Sequence, residues 1–491
     1  MHRKTRTTLA TVAAAAVTGG LLTFAAATPA LAVDGTVASQ ADFNGDGVGD
    51  VASSADGAYV SGKANAGQVV VAYGVEGSGI TASQRSVISQ DTSGVPGGAE
   101  TGDGFSSDTA YADFDGDGYD DLAVGAPWED LGDDQDAGMV TILWGSASGI
   151  TGAGAVQLDD PAPTSHDQWG RLLAAGDFDG DGKQDLTVGT SKTKLYLFKG
   201  GISRNGTSGS RQTVQAPIST TRPLYNLTAG DVNGDHRTDL VANGYTPESS
   251  NGYYWDRNFL LFGTASGLDA AGAQELRPGI ISGVGDINRD GYGDIVSGWH
   301  RNKVQDGVTD PYAADGGKVW ITYGSQYGVG TVQGITQDTS GVPGSAELND
   351  MFGYELDLGD VDGDGFLDLA VGVAGENVDG VTDTGSVVVL HGTASGITGT
   401  GAQYVDQNTA GVPGSNEKED YFGSDVKLDD VSGDGRADLV VGSGENDGNG
   451  SITYLPSSGG RITGTGSRAL SPTALGVSTS GTPYVGYNFA D

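Results

Sequence analysis

Asp113-Phe114-Asp115-Gly116-Asp117-Gly118-Tyr119-Asp120-Asp121-Leu122-Ala123-Val124-Gly125 carries the pattern that organises the whole chain. Carboxylates stand at positions 1, 3, 5 and 9 of this run, Gly118 at position 6 permits a sharp turn, and the backbone carbonyl of Tyr119 is expected at position 7. Calcium takes roughly six to eight oxygens at about 2.3–2.6 Å, and such a loop supplies most of them, whereas magnesium keeps its waters and demands stricter octahedral geometry. A helix-flanked calcium hand would close with a glutamate at position 12. Here that position is Val124, inside an apolar stretch that reads as a buried strand. The loop therefore joins two strands.

The run recurs seven times. The first copy offers Asp42, Asn44, Asp46, the carbonyl of Val48 and Asp50; the second Asp113, Asp115, Asp117, Tyr119 and Asp121. The third offers Asp177, Asp179, Asp181, Lys183 and Asp185; the fourth Asp231, Asn233, Asp235, Arg237 and Asp239. The fifth offers Asp286, Asn288, Asp290, Tyr292 and Asp294; the sixth Asp360, Asp362, Asp364, Phe366 and Asp368; the seventh Asp430, Ser432, Asp434, Arg436 and Asp438. Arg289 replaces the usual glycine at position 4 of the fifth copy, and His236 the glycine at position 6 of the fourth, which is expected to weaken that site. Up to seven Ca²⁺ ions are expected.

Successive copies start 54 to 74 residues apart, too far for helical solenoid units and suited to four-stranded propeller blades with loops of varying length. The expected fold is all-β, a seven-bladed β-propeller of four-stranded blades with a calcium loop between strands A and B of each. In the second repeat the loop leads into strand B, a long acidic segment from Trp128 to Gly138, strand C from Met139 to Trp144, the turn Gly145–Gly149, and strand D from Ile150 onward. Equivalent glycine turns lie at 74–79, 263–267, 324–328 and 392–396.

Residues 1–32 read as an export signal: Arg3, Lys4 and Arg6, an apolar stretch from Leu9 to Ala27, and Ala30-Leu31-Ala32 as a cleavage site. A membrane anchor is the competing reading, disfavoured because Thr18, Gly19 and Gly20 interrupt the stretch. The propeller is then residues 33–491 of a secreted, extracellular protein with no membrane span in the mature chain, expected to be monomeric. The chain has 25 basic against 64 acidic residues, a formal charge of −39, and no cluster of Lys and Arg, which argues against nucleic acid as a partner. It has no cysteine, so metal is the expected substitute for disulfides, since a site absent from the unfolded chain makes binding energy count toward folding.

Phe352-Gly353 and Phe422-Gly423 each begin eight residues before a loop's first aspartate, Phe105 and Trp169 hold the same offset, and Gly125-Ala126-Pro127 follows the second loop. With the seven aspartate runs, these residues resemble the FG-GAP repeat family, the seven-bladed propeller that also forms the head of integrin α chains, and the likeness extends over essentially the whole mature chain. The resemblance implies calcium in the loops and an extracellular binding role. In integrin-like members only some blades carry calcium, whereas ligand sets here persist in all seven, as in the bacterial forms. No inserted adhesion domain and no Asp-x-Ser-x-Ser motif is present, and repeats three to five lack Gly-Ala-Pro.

A second repeat, Gln90-Asp-Thr-Ser-Gly-Val-Pro-Gly97, recurs at 337–344 and, as Gln407-Asn-Thr-Ala-Gly-Val-Pro-Gly414, at 407–414. A blade-to-blade connector is preferred over a ligand loop, because Pro and glycine fix a turn. The first repeat lacks an aromatic at the offset, Asp34 standing there, and Tyr484-Val-Gly-Tyr-Asn-Phe489 is expected to pair close to the N-terminal strand and latch the ring, with a free frayed tail as the competing reading. Chain direction puts the metal loops at one end and the B–C loops and connectors at the other. Candidate ligand residues at that variable end are Tyr254, Trp255, His300 and Arg301, for an extracellular protein or glycan. The competing reading has these rings cover strand ends, and it is preferred for Trp128. Catalytic residues are not signalled: there is no Gly-x-Ser-x-Gly elbow, cysteine or His-Glu-x-x-His motif, and His166, His236, His300 and His391 fall in separate blades. A non-catalytic binding or adhesion scaffold is the preferred reading. The alternatives are a structural matrix protein and, less favoured, a calcium-assisted polysaccharide-active enzyme or ester hydrolase.

Overall fold

The computed structural model describes residues 40–218, 222–245, 256–305, 307–444 and 446–490, so the export signal expected at 1–32 lies outside the described residues, as do Tyr254 and Trp255. The described residues form a seven-bladed propeller. Blades 2 to 7 are four-stranded antiparallel sheets in the order A-B-C-D. Blade 2 runs Asp108–Ala112, Asp121–Ala126, Met139–Leu143 and Val156–Gln157, and blade 6 runs Phe352–Gly359, Asp368–Val373, Ser386–His391 and Thr398–Val405. Blade 5 adds a two-stranded hairpin, Val304–Gln305 with Val308–Thr309, between its strands B and C. Strand D of blade 2 starts later than Ile150. The Ile150 amide instead donates to the Tyr73 hydroxyl of blade 1 at 2.7 Å, which takes it out of its own ladder.

Strand B of each blade is buried because both its faces meet neighbours, which explains the unbroken apolar runs after each aspartate loop. Core clusters span adjacent blades: Phe43 and Val71 meet Phe105 and Leu122 between blades 1 and 2, and Val431 and Ile452 meet Val51 and Val70 between blades 7 and 1. Each blade is thus half of two cores.

The Phe-Gly and Gly-Ala-Pro residues turn out to be the two sides of one contact. A Cβ on Gly125 in strand B of blade 2 would lie 2.0 Å from the carbonyl oxygen of Gly170, which follows Trp169 at the entry to blade 3. Gly298 meets Gly353 at 2.2 Å and Gly372 meets Gly423 at 2.2 Å in the same way. Backbones cross there with no room for a methyl group. Gly125→Ala is therefore expected to cost roughly 1–3 kcal/mol or more in chemical denaturation, as overpacking does. Gly98→Ala, where no atom lies within 4 Å of the added Cβ, should change stability by less than about 0.5 kcal/mol.

The same contact closes the ring. Blade 1 has strands B, C and D at Val51–Ala55, Gln68–Ala72 and Arg85–Ile88, and its inner edge is completed from the far end of the sequence. Val485 makes a parallel bridge to Gly450 just as Phe422 does to Gly385 and Phe352 to Gly317. Gly486 has φ 83°, matching Gly423 at 89° and Gly353 at 85°, and its carbonyl sits where a Cβ on Gly442 would be. Ser54 N–H then donates to the Asn488 carbonyl at 2.7 Å and Ala490 N–H to the Ala52 carbonyl at 2.9 Å. Val485-Gly486 is the missing Phe-Gly of blade 1. The latch expected from the sequence is present, and the Tyr484–Phe489 segment supplies it.

Candidate metal loops and the non-repeating end

All seven A–B loops share one frame. The last residue of strand A pairs with the position-9 aspartate: Ala41 with Asp50, Ala112 with Asp121, Gly176 with Asp185, Gly230 with Asp239, Gly285 with Asp294, Gly359 with Asp368 and Asp429 with Asp438. Within each loop the position-1 carboxylate (Asp42, Asp113, Asp177, Asp231, Asp286, Asp360, Asp430) accepts the position-6 amide at 2.7–2.9 Å. The position-5 carboxylate (Asp46, Asp117, Asp181, Asp235, Asp290, Asp364, Asp434) accepts the amide of Val48, Tyr119, Lys183, Arg237, Tyr292, Phe366 or Arg436 at 2.9–3.2 Å. These bonds curl the backbone so that side-chain oxygens converge. His236 keeps the curl by adopting φ 63° and Arg289 by adopting φ 58°, a left-handed conformation that costs a side chain roughly 1–2 kcal/mol.

Position 9 has a second task that the sequence did not reveal. In the first six loops one oxygen of this buried aspartate accepts the position-2 amide and the other accepts the amide of the glycine closing strand C. For Asp121 these are Phe114 at 3.0 Å and Gly145 at 2.8 Å; for Asp50, Phe43 at 3.0 Å and Gly74 at 2.9 Å. Asp185, Asp239, Asp294 and Asp368 repeat the arrangement. The seventh departs from it, because Pro456-Ser457 replaces the glycine and Asp438 accepts the Ser457 amide at 2.8 Å. In six blades the Gly at the start of the C–D turn is thus tied to the metal loop. Asp121→Ala should lose about 2–5 kcal/mol even in chelator, because two buried amides lose their acceptors. Asp117→Ala, on the exposed lip, should lose less than about 1 kcal/mol under the same conditions, with thermal melts of both variants as the measurement.

The loops are chained to one another. Asp120 N–H donates to the Asp42 carbonyl, Thr238 to Asp177, Gly293 to Asp231, Ala437 to Asp360, and Gly49 to Asp430 across the closure, at 2.8–3.1 Å. Each of these bonds runs from position 8 of one loop to position 1 of the loop before it.

Donor chemistry separates the loops. Where position 3 is aspartate, three carboxylates come within 4.8 Å of one another: Asp113, Asp115 and Asp121; Asp177, Asp179 and Asp185; Asp360, Asp362 and Asp364. In the remaining loops Asn44, Asn233, Asn288 or Ser432 puts a neutral oxygen there. Burial pushes the position-9 carboxyls up, Asp50 and Asp121 to about 8, Asp185, Asp239 and Asp294 to about 7, and Asp438 to about 6, with neighbouring loop aspartates adding to the rise. An all-oxygen set of crowded, half-buried acids fits a hard cation, whose charge would offset that burial.

Protein cations also reach some loops. Arg204, from the C–D turn of blade 3, pairs with Asp115 at 2.5 Å and Asp117 at 2.6 Å in blade 2, while Lys199 lies 3.1 Å from Asp179. His391, at the end of strand C, places Nδ1 3.5 Å from Asp362 and 3.3 Å from Asp368. Its hydrogen bond to Asp368 raises its basicity, despite burial. No spacing in the sequence tied His391 to the sixth loop, because the pairing runs across two strands.

The opposite end carries the features that do not repeat from blade to blade. A cavity of about 330 Å³ runs among the inner strands, lined in part by Tyr111, Trp128, Arg171, Tyr225, Glu355 and Lys427. The Trp128 ring lies against Gly104, remains 38% exposed and lines this cavity. A separate recess of about 310 Å³ is lined by His300, Arg301, Asn302, Gln305, Asn349 and Met351. His300 stacks on Tyr354 at 5.1 Å and burial drops it to about 4, so the imidazole is neutral at physiological pH. Arg301 lies over Trp299 at 5.2 Å and 3.7 Å from the buried Asp256, whose carboxyl burial pushes up to about 6. Tyr354 and Tyr487 approach hydroxyl to hydroxyl at 3.5 Å. His300 and Arg301 therefore fall in one recess, as their adjacency in the sequence suggested.

The FG-GAP repeat profile matches residues 101–143 and 352–390, and the FG-GAP-like repeat profile matches 177–242. The chain is 32% identical over 180 residues to integrin alpha-PS5 of Drosophila melanogaster, covering 34% of this chain and 16% of that protein. It is 29% identical over 241 residues to integrin alpha pat-2 of Caenorhabditis elegans, covering 42% and 18%. It is also 32% identical over 154 residues to phosphatidylinositol-glycan-specific phospholipase D of Rattus norvegicus, covering 31% and 18%. The matched regions make up less than a fifth of these relatives. Among the described residues no helix is long and apolar enough to cross a membrane.

Proposed function

From the premise that this is an FG-GAP repeat propeller of the integrin α N-terminal type, we propose that it is a secreted, calcium-loaded, non-catalytic scaffold that binds an extracellular protein or glycan through its B–C loop end. The observation that supports this most directly is the contrast between the two ends. The A–B loops are seven versions of one device, whereas the recess around His300 and Arg301 occurs once among the described residues and combines a fixed guanidinium, a neutral imidazole and tyrosine faces. Aromatic rings and arginine on rigid supports are the usual anchors of recognition. Calcium at Asp42, Asp113, Asp177, Asp231, Asp286, Asp360 and Asp430 and their loop partners would hold the scaffold rather than touch the ligand. Tyr254 and Trp255 remain ligand candidates by sequence.

The test is a screen of the purified protein on immobilised extracellular glycans and matrix proteins, followed by titration of each hit against a His300→Ala/Arg301→Ala variant. The expected result is binding that weakens at least tenfold in a variant that still melts cooperatively, in line with the loss of an anchor residue. Unchanged affinity would remove the recess from the proposal. Absence of any hit would favour a structural role, and turnover of a polysaccharide or ester would replace the scaffold with an enzyme.

A further inference from the structure

The Gln-(Asp/Asn)-Thr-(Ser/Ala)-Gly-Val-Pro-Gly segments do connect blades. Val95, Val342 and Val412 are each buried to the same degree, and a Cβ on Gly94, Gly341 or Gly411 would press on the backbone of Gly152, Gly399 or Gly464 in the next blade. That task explains the valine and the glycines, but it leaves the glutamine unexplained.

Gln90 and Gln337 are both 2% exposed. Each turns its amide nitrogen to a buried glutamate just beyond strand B of the next blade: Gln90 Nε2 donates to Glu129 Oε2 at 2.6 Å, and Gln337 Nε2 to Glu376 Oε2 at 2.8 Å. In both, the amide oxygen Oε1 is buried with no hydrogen-bond donor. A second buried acid acts on each glutamate, Asp103 on Glu129 and Asp350 on Glu376. Asp103 accepts the Glu100 amide and Asp350 accepts the Glu347 amide, at 2.5 and 2.6 Å, and Asp350 Oδ1 also lacks a donor. The last glycine of each connector keeps the space open: a Cβ on Gly97 would lie 3.0 Å from Gln90 Nε2 and 3.4 Å from Glu129 Oε1, and one on Gly344 2.9 Å from Gln337 Nε2.

We infer that the junctions between blades 1 and 2 and between blades 5 and 6 each bind a hard divalent cation of the calcium class, held by Gln90, Glu129 and Asp103 in one and Gln337, Glu376 and Asp350 in the other. The donors are all oxygen, two acids and one amide per site, as such a cation prefers. A proton on the glutamate could neutralise the acid, but it would not serve the amide oxygen while the amide nitrogen already donates to that carboxylate. The surroundings call for positive charge: Asp103, Glu100 and Asp130 act on Glu129, and Asp350, Glu347 and Asp406 on Glu376. Lys63 acts on Asp103 only as a weaker influence than Glu100 or Asp130. Gln407 and Asp420 repeat two members of the set at the junction of blades 6 and 7, with Gln407 Oε1 again buried and without a donor. The corresponding glutamate, Glu445, lies outside the described residues.

The experiment is a crystal of the full chain grown in calcium, with anomalous scattering measured at long wavelength. Two anomalous peaks are expected, one beside Glu129 and one beside Glu376, separate from any in the A–B loops, and an E129Q/E376Q variant should lose those two and keep the others. Peaks in the loops with none at the junctions of the wild-type protein would overturn the inference while leaving the loop sites intact. Peaks at the junctions alone would uphold it and remove calcium from the loops. The wild-type map decides the matter even if the variant fails to fold.

Discussion

A chain ending at Ser480 is expected to lose its cooperative melting transition at the temperature where the full-length protein melts, the largest effect of any change short of deleting a blade. Only ten or so residues are removed, yet they supply the inner edge of blade 1. Val485, Phe489 and Ala490 are buried, and Val485 and Phe489 sit in the core shared by blades 7 and 1 while Ala490 packs in the core shared by blades 1 and 2. Burying a valine is worth about 1.5–3 kcal/mol and deleting a buried phenylalanine ring costs about 3–5 kcal/mol. The backbone adds to this: Ser54 N–H would lose its acceptor at Asn488 and the Asp425 carboxylate would lose the Phe489 amide it accepts from, leaving a strand edge open between two blades. The total is at least ~5 kcal/mol, a large part of the stability of an ordinary domain. Far-ultraviolet circular dichroism during heating measures it, with Phe489→Ala as the milder companion expected to lose about 3–5 kcal/mol. A truncated chain that melts like the full-length protein would show that blade 1 closes by other means.

The latch also marks how far the sequence could be read. Its position was visible because Tyr484-Val-Gly-Tyr-Asn-Phe489 alternates like a strand beyond the last blade. Its role as the first blade's Phe-Gly was not, since Val485 replaces the aromatic and the comparison spans most of the chain. The seven loops were legible because cation chelation requires particular residues at fixed spacing, and the fold followed from their interval. The double acceptor role of the position-9 aspartate was invisible, because an aspartate that binds metal and one that clamps Gly145 to Phe114 are the same letter. The glycine crossing of Gly125 with Gly170 was half legible: the motifs stood out, but their meeting across a blade boundary is a fact of three dimensions. His391 illustrates the limit. It joins the sixth loop from a strand whose register no local pattern gives, and Trp128 gained its place at the cavity from the channel that the inner strands enclose.

Chelation is expected to lower the melting temperature further than any single loop substitution. The chain has no cysteine and carries a formal charge of −39, so neither disulfides nor charge balance holds the compact state. The three loops with converging carboxylates alone would contribute about 8 kcal/mol if each ion is present at about a hundred times its dissociation constant, since one such site gives about 2.7 kcal/mol. The effect should be cooperative in space. At five of the seven junctions position 8 of one loop hydrogen-bonds to position 1 of its neighbour, so an ion that stiffens Asp42 also steadies Asp120, and through Gly49 the seventh loop reaches the first. Differential scanning calorimetry in calcium and in excess chelator is the measurement, followed by the same pair of scans on Asp362→Ala, which should lose part of the calcium-dependent shift and keep the rest. Identical midpoints with and without chelator would mean that the loops fold and hold without a cation, and that Arg204, Lys199 and His391, already seated against Asp115, Asp179 and Asp362, are the charges that balance them.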